Sequence, residues 1–266
     1  MAGEDKPVFA ARRRERILEL VRANGAMALR DIADQVRVSE VTVRRDVRTL
    51  EAEGLIDRRR GGAALPGHPL AGKGRRAGGT APELSAIARK AAPLVSDDDA
   101  IVLGPGEAVE ALAAELTGRR GLTVVTNSLR VAQTLAAAPG VEVVMTGGTL
   151  RGSVLALVGG AAEQSLEGLR VRRAFVSGQG VTAERGLSTP NAAVAGVDRA
   201  LAACAEEVIV LADHSRVGAD TMVQTVAPEH IAHLVTDSHA DPEVLMTLED
   251  MGTTVYVAVP DVDRGE

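Results

Sequence analysis

Ser39-Glu40-Val41-Thr42-Val43-Arg44-Arg45-Asp46-Val47-Arg48-Thr49-Leu50, followed at Arg58-Arg59-Arg60-Gly61-Gly62 by three arginines and two glycines, is the stretch that decides the fold. Ser39 stands where a helix N-cap belongs, and Gly54 where a helix stops, so the spacing predicts a helix to about Glu53. At about 100° per residue, Val43, Val47 and Leu50 fall in one narrow arc, the core face. Arg45 and Arg48 lie opposite, flanked by Thr42, Arg44 and Thr49. Asp46 lies near the core face and reads as structural, a carboxylate holding a neighbouring arginine.

Outward from this helix the punctuation continues. Ile17, Leu18, Leu20 and Val21 predict a helix over 11–23, stopped by Asn24-Gly25. Leu29, Ile32, Ala33 and Val36 mark a second, short helix, and Arg37-Val38 the turn before the third. Leu55-Ile56 begins an extended piece, and Gly61-Gly62 permits a tight reversal before Ala63-Ala64-Leu65. Three helices and a hairpin describe a winged helix-turn-helix. Arginines on the exposed face suit guanine O6 and N7, hydroxyls suit phosphate, and a basic wing suits the backbone or the minor groove. The candidate DNA-contacting residues are Ser39, Thr42, Arg44, Arg45, Arg48, Arg58, Arg59 and Arg60. The bland alternative is a solvated arginine face on a helical hairpin. The cap, turn length, core face and basic wing together favour double-stranded DNA.

Charge is divided along the chain. Residues 1–76 carry 17 Lys/Arg against 11 Asp/Glu, and the remainder carries 13 against 25. A basic head on an acidic body is the layout of a protein that touches a polyanion with one end. Aromatics are 1% of the chain, which argues against binding single strands by base stacking. The one cysteine, Cys204, rules out an internal disulfide, fits a reducing cytoplasm, and reads as a small buried apolar residue. Residues 1–16 are polar and Arg-rich, unlike a signal peptide, and no stretch approaches the roughly 18 apolar residues of a membrane span. The expected location is the cytoplasm.

The organisation expected is a tail over 1–10, the winged helix-turn-helix over 11–65, a basic Gly/Pro-rich linker over 66–83, a mostly parallel α/β body over 84–260 and a tail over 261–266. In the body, short apolar strands are expected at 100–103, 122–126, 141–146, 173–177, 207–212, 233–236 and 253–257, with helices between them. Near-continuous apolar strands alternating with helices indicate a parallel sheet covered on both faces. Small-residue and hydroxyl clusters follow the strands at Gly104-Pro105-Gly106-Glu107, Thr126-Asn127-Ser128 and Gly147-Gly148-Thr149. In open parallel sheets ligands sit at the carboxyl ends of strands. The five histidines, 68, 214, 230, 233 and 239, show no metal-ligand spacing, so no metal and no cofactor is expected.

Residues 12–258 resemble the DeoR family of bacterial transcription regulators. The resemblance rests on the head motif just quoted and on Val125-Thr126-Asn127-Ser128-Leu129, Gly147-Gly148-Thr149-Leu150-Arg151, Leu157-Val158-Gly159, Gly186-Leu187-Ser188-Thr189-Pro190-Asn191 and Leu211-Ala212-Asp213-His214-Ser215-Arg216-Val217-Gly218. It implies a body related to ribose-5-phosphate isomerase that senses a small molecule, commonly a phosphorylated sugar, and a repressor of carbohydrate genes. The candidate effector residues are Gly106, Thr126, Asn127, Ser128, Gly147, Gly148, Thr149, Arg151, Gln179 and Arg216. The chain departs from the pattern at four places. The Asp-Ser-Gly-Thr-Thr loop of relatives reads Gly104-Pro105-Gly106-Glu107-Ala108, and their Gly-Ala-Asp-Gly reads Ser177-Gly178-Gln179-Gly180. Asp198, beside Arg199, stands at a family lysine, and Ser215-Arg216 replaces a serine–lysine pair. With no acid/base pair left at these loops, isomerase activity is not expected. Glu107 opposes an anionic ligand, so a less anionic effector, or loss of effector control, is expected; Arg151, Arg199 and Arg216 leave a phosphate clamp open. A helix-turn-helix monomer covers little DNA, so a homo-oligomer, dimer or tetramer, is expected. The rival readings are a sugar-phosphate enzyme with an accessory head and a sequence-indifferent architectural DNA binder.

Overall fold

The structure is a computed structural model; it describes residues 5–24, 26–52, 55–59, 62–64 and 79–260. The chain divides into two compact units, 1–72 and 73–266.

The first unit runs α1 (Asp5–Asn24), β1 (Ala26–Ala28), α2 (Leu29–Val36), α3 (Glu40–Ala52), β2 (Asp57–Arg59) and β3 (Gly62–Ala64). Ile17, Val21, Leu29, Ile32, Val43, Val47, Leu50 and Ile56 form its core, which is the face read from the sequence. The helix begins at Asp5, so residues 5–10, expected as tail, are helical. Pro7 is compatible with this, because a first-turn N–H has no partner inside the helix to lose. The wing has three antiparallel strands in the order β1-β3-β2, with Met27 opposite Ala63 and Arg58 opposite Ala63 on the other side. The strand β1 was not expected, because three small or apolar residues carry no period.

The second unit opens with α4 (Ala81–Ala91) and continues β4 (Ala100–Leu103), α5 (Glu107–Glu115), β5 (Leu122–Thr126), α6 (Leu129–Leu135) and β6 (Val141–Met145). After β6 come β7 (Thr149–Arg151), β8 (Ala156–Val158), α7 (Gly160–Gln164), β9 (Val171–Val176), β10 (Gly180–Thr182), β11 (Gly186–Thr189) and α8 (Ala192–Ala203). The chain ends with β12 (Ala205–Leu211), β13 (Val223–Val226), β14 (Ile231–Asp237), α9 (Pro242–Asp250) and β15 (Thr254–Ala258). The last residues of the expected linker, 81–83, belong to α4, with Pro82 in its first turn, where proline is tolerated.

Seven parallel strands form the main sheet in the order β15-β14-β12-β9-β4-β5-β6. Alternate residues of each strand feed two cores. Ile101, Leu103, Val124, Phe175, Ile209 and Leu211 pack against α4, α5 and α6. Val102, Val125, Ala174, Val176, Val208 and Val210 pack against α7, α8 and α9. Both faces are covered, which is why the strands read as apolar runs. Two small antiparallel sheets stand beside this frame, the hairpin β7-β8 and the ribbon β10-β11-β13. Cys204 is buried at the end of α8, and burial pushes its thiol pKa up, away from reactivity. No described helix is long and apolar enough to cross a membrane.

The order of the sheet positions everything that follows. From β4 the chain steps outward to β5 and β6, then returns across β4 to lay down β9, β12, β14 and β15 on the other side. The switch point lies between β4 and β9, where the strand order reverses and the connections run to opposite sides.

Candidate functional site

In the head, the turn between α2 and α3 is closed by a bond from the Val38 amide to the Ala33 carbonyl, 3.1 Å, with Arg37 at φ +53° between them. That six-to-one bond across a left-handed residue is a Schellman closure, and it sets the angle at which α3 departs. Ser39 caps α3: its Oγ accepts from the Thr42 amide at 3.4 Å and lies 3.0 Å from the Thr42 hydroxyl. Both hydroxyls therefore stand at the helix start, as expected.

Along α3, Val43 and Val47 are fully buried, whereas Arg44, Arg45 and Arg48 are exposed. Arg44 lies 3.9 Å from Glu40 one turn earlier. Arg45 and Arg48 make no ion pair among the described residues. Asp46 is buried, and its partner is Arg13 of α1, not an arginine of its own helix: Arg13 Nε donates at 2.6 Å and a second guanidinium nitrogen at 3.3 Å. The carboxylate raises the Arg13 pKa further above its already high value. Val41 in the first turn is 78% exposed and shares the solvent side with the arginines. Arg58 and Arg59 lie on β2 of the wing; their side chains, and the whole of Arg60, fall outside the described residues.

In the body, the expected effector residues follow strands of the main sheet or stand beside the loops that do. Gly106 stands at φ +136° as the residue before α5, and a Cβ there would come within 2.8 Å of the Ser177 Cβ. Only glycine lets these two loops, on opposite sides of the switch point, approach so closely. Two residues beyond Ser177, Gln179 accepts a hydrogen bond from the Arg216 guanidinium, which also lies 3.7 Å from Asp213. Gly106, Gln179 and Arg216 are thus brought into one neighbourhood.

The other candidates serve the backbone first. Thr126 and Ser128 were expected as donors to a ligand. Instead the Thr126 hydroxyl donates to the Leu103 carbonyl at 2.6 Å and accepts from the Ser128 amide at 3.0 Å, while Ser128 caps α6 through Val131. Both are fully buried. Asn127 Nδ2 donates to the Leu157 carbonyl at 3.0 Å, fastening β8, but Asn127 Oδ1 is buried and makes no hydrogen bond among the described residues. Arg151 Nε on β7 is likewise buried without a partner among them. Gly147 donates its amide to Ser165 Oγ at 2.9 Å, so that N–H is not free for an anion. Gly148, at φ +117°, has no room for a Cβ against Val158 and Ala162. Thr149 is exposed at the start of β7. Arg199, open as a clamp residue, is turned to the Gln224 carbonyl at 2.6 and 3.0 Å.

The DeoR-like helix-turn-helix domain model matches residues 13–68, and the DeoR C terminal sensor domain model matches residues 81–238. The chain belongs to the DeoR family. It is 29% identical to a putative aga operon transcriptional repressor of Escherichia coli O157:H7 over 96% of this chain and 97% of that one. It is 37% identical to the lactose phosphotransferase system repressor of Lactococcus lactis over 64% and 69%. A solved D-ribose-5-phosphate isomerase in complex with phospho-erythronic acid covers 50% of this chain and 52% of its own at 14% identity, with a TM-score of 0.38. This DeoR-family chain is a DNA-binding regulator of transcription rather than an enzyme.

Proposed function

We propose that the chain represses a carbohydrate or related metabolic operon, gripping operator DNA with α3 and the wing and responding to a small molecule bound at the β4–β9 switch point. The observation that supports the DNA reading is the division of α3: Val43, Val47 and Leu50 are sealed in the core while Arg44, Arg45 and Arg48 are exposed on the opposite side. Arginine in that position donates two parallel bonds to a guanine edge. The test is a gel-shift titration on an operator found by genomic binding-site selection. Arg45→Ala weakens specific binding by about 1–3 kcal/mol, the range of one bidentate base contact, and leaves non-specific binding nearly unchanged. Equal loss on unrelated DNA favours the architectural reading instead.

The charges at the pocket support an effector less anionic than a sugar phosphate. Arg216 is already engaged by Asp213 and Gln179, Arg199 by a carbonyl, and Glu107 stands in the first turn of α5 where an anion would otherwise be welcome. Asn127 Oδ1, after β5, is an acceptor without a partner among the described residues; Arg151 Nε, on β7, is a donor of the same kind and the one group here that would favour an anion. Neutral or cationic metabolites are expected to raise Tm saturably, whereas saturable stabilisation by a sugar phosphate overturns the altered pocket. The regulator works as a homo-oligomer, for which the exposed Val144, Met145, Leu150 and Val154 on the β6 edge and adjoining hairpin offer apolar surface; light scattering measures its size.

A further inference from the structure

Four side chains that the sequence keeps far apart meet at the carboxyl edge of the sheet. Glu83 stands in the first turn of α4, His214 three residues past β12, Asp237 at the end of β14 and His239 two residues later. One donor atom from each lies within 4.8 Å of the other three. His214 Nδ1 is 3.1 Å from Asp237 Oδ1 and 3.9 Å from Glu83 Oε1; His239 Nδ1 is 2.9 Å from Glu83 Oε1 and 3.3 Å from Asp237 Oδ1. Bonds of about 2.0–2.2 Å at tetrahedral angles place zinc ligands roughly 3.3–3.5 Å apart, and the four measured separations straddle that spacing.

The carboxylates are held in place from behind. Glu83 Oε2 accepts the Thr80 amide, which leaves Oε1 for the histidines. Asp237 accepts the His214 amide on Oδ2 at 2.8 Å and the His239 amide on Oδ1 at 2.9 Å. Supporting bonds of this kind orient first ligands in metal sites. Asp237 is fully buried and Glu83 nearly so. Two carboxylates brought out of water side by side are a costly arrangement that a dication offsets. Two imidazole nitrogens and two carboxylate oxygens suit zinc better than calcium or magnesium.

We infer that Glu83, His214, Asp237 and His239 bind one divalent transition-metal ion, zinc foremost. The ion ties the first helix of the body to the loops after β12 and β14, two residues from Arg216. This inference stands apart from the DNA reading, which loses nothing if it fails. The test is calorimetric titration of chelator-treated full-length protein with zinc chloride. One equivalent per chain is expected to bind saturably. His239→Ala, at a side chain 60% exposed and outside the core, lowers the affinity at least tenfold; Glu83→Gln does the same while keeping an acceptor for Thr80. His230→Ala, outside the cluster, binds as the parent does. Cobalt(II) in place of zinc gives the intense visible absorption of a four-coordinate site. Absence of saturable uptake by the parent protein, or unchanged affinity in a folded His239→Ala, overturns the site.

Discussion

At the scale of single residues, the ion pair between Arg13 and Asp46 shows how a motif residue serves the fold. Asp46 sits among the arginines of α3, yet it is buried and bound to α1 by two hydrogen bonds. Removing one partner leaves the other desolvated and unpaired, which costs more than the pair contributes. Asp46→Ala is therefore expected to destabilise the head by about 1–3 kcal/mol, given that Arg13 stays partly solvated. Hydrogen exchange of the α1 and α3 amides measures it; protection equal to the parent's refutes the role. The sequence placed Asp46 on the core side, because position on a helix wheel depends on spacing alone. It did not name Arg13, which lies 33 residues away and is one of three consecutive arginines. Long-range partners are chosen by packing, to which a local pattern is blind.

Among elements, the turn before α3 carries a conformational cost. Arg37 adopts φ +53°, where a side chain crowds the following carbonyl and glycine does not. Arg37→Gly is expected to stabilise the head by about 0.5–1 kcal/mol, the left-handed penalty less glycine's greater freedom when unfolded. Urea denaturation checks it; a loss of stability means that the Arg37 side chain contributes more than its backbone costs. The main elements were legible: the three helices of the head and all seven strands of the large sheet come from periodicity and burial, which a sequence displays. The short strands β7, β8, β10, β11 and β13 escaped notice. Each has three or four residues, too few for alternation to register, and their pairing is decided by neighbours such as Asn127, which fastens β8. The same limit applies to the candidate site. Glycine and hydroxyl clusters after strands pointed to the carboxyl edge of the sheet, but only the fold shows that Thr126 and Ser128 turn their hydroxyls inward.

For the molecule as a whole, stability is coupled to pH through α8. Burial of Asp198 raises its carboxyl pKa from 3.8 to about 7. The folded chain therefore keeps a proton that the unfolded chain releases near pH 4, and stability falls as pH rises from about 4 to about 7 and stays lower above. Asp198→Asn is expected to abolish that slope and to stabilise the protein at pH 8 by a few kcal/mol, at about 1.4 kcal/mol per pH unit. Denaturation at pH 5 and pH 8 decides it; an unchanged pH dependence rules out Asp198 as the source.

The strand order described above also has a consequence for a newly made chain. The first unit is complete in sequence by residue 72, whereas the β4–β9 switch point lacks one side until Ser177 is added, and the sheet is unfinished until Ala258. Ribosomes add about 5–20 residues per second and domains fold from the N-terminus first, so the roughly 200 residues after the head take on the order of 10–40 s to make. During that interval a folded head is tethered to an unfinished body, and the order of the strands makes the body the slow half of every newly made chain.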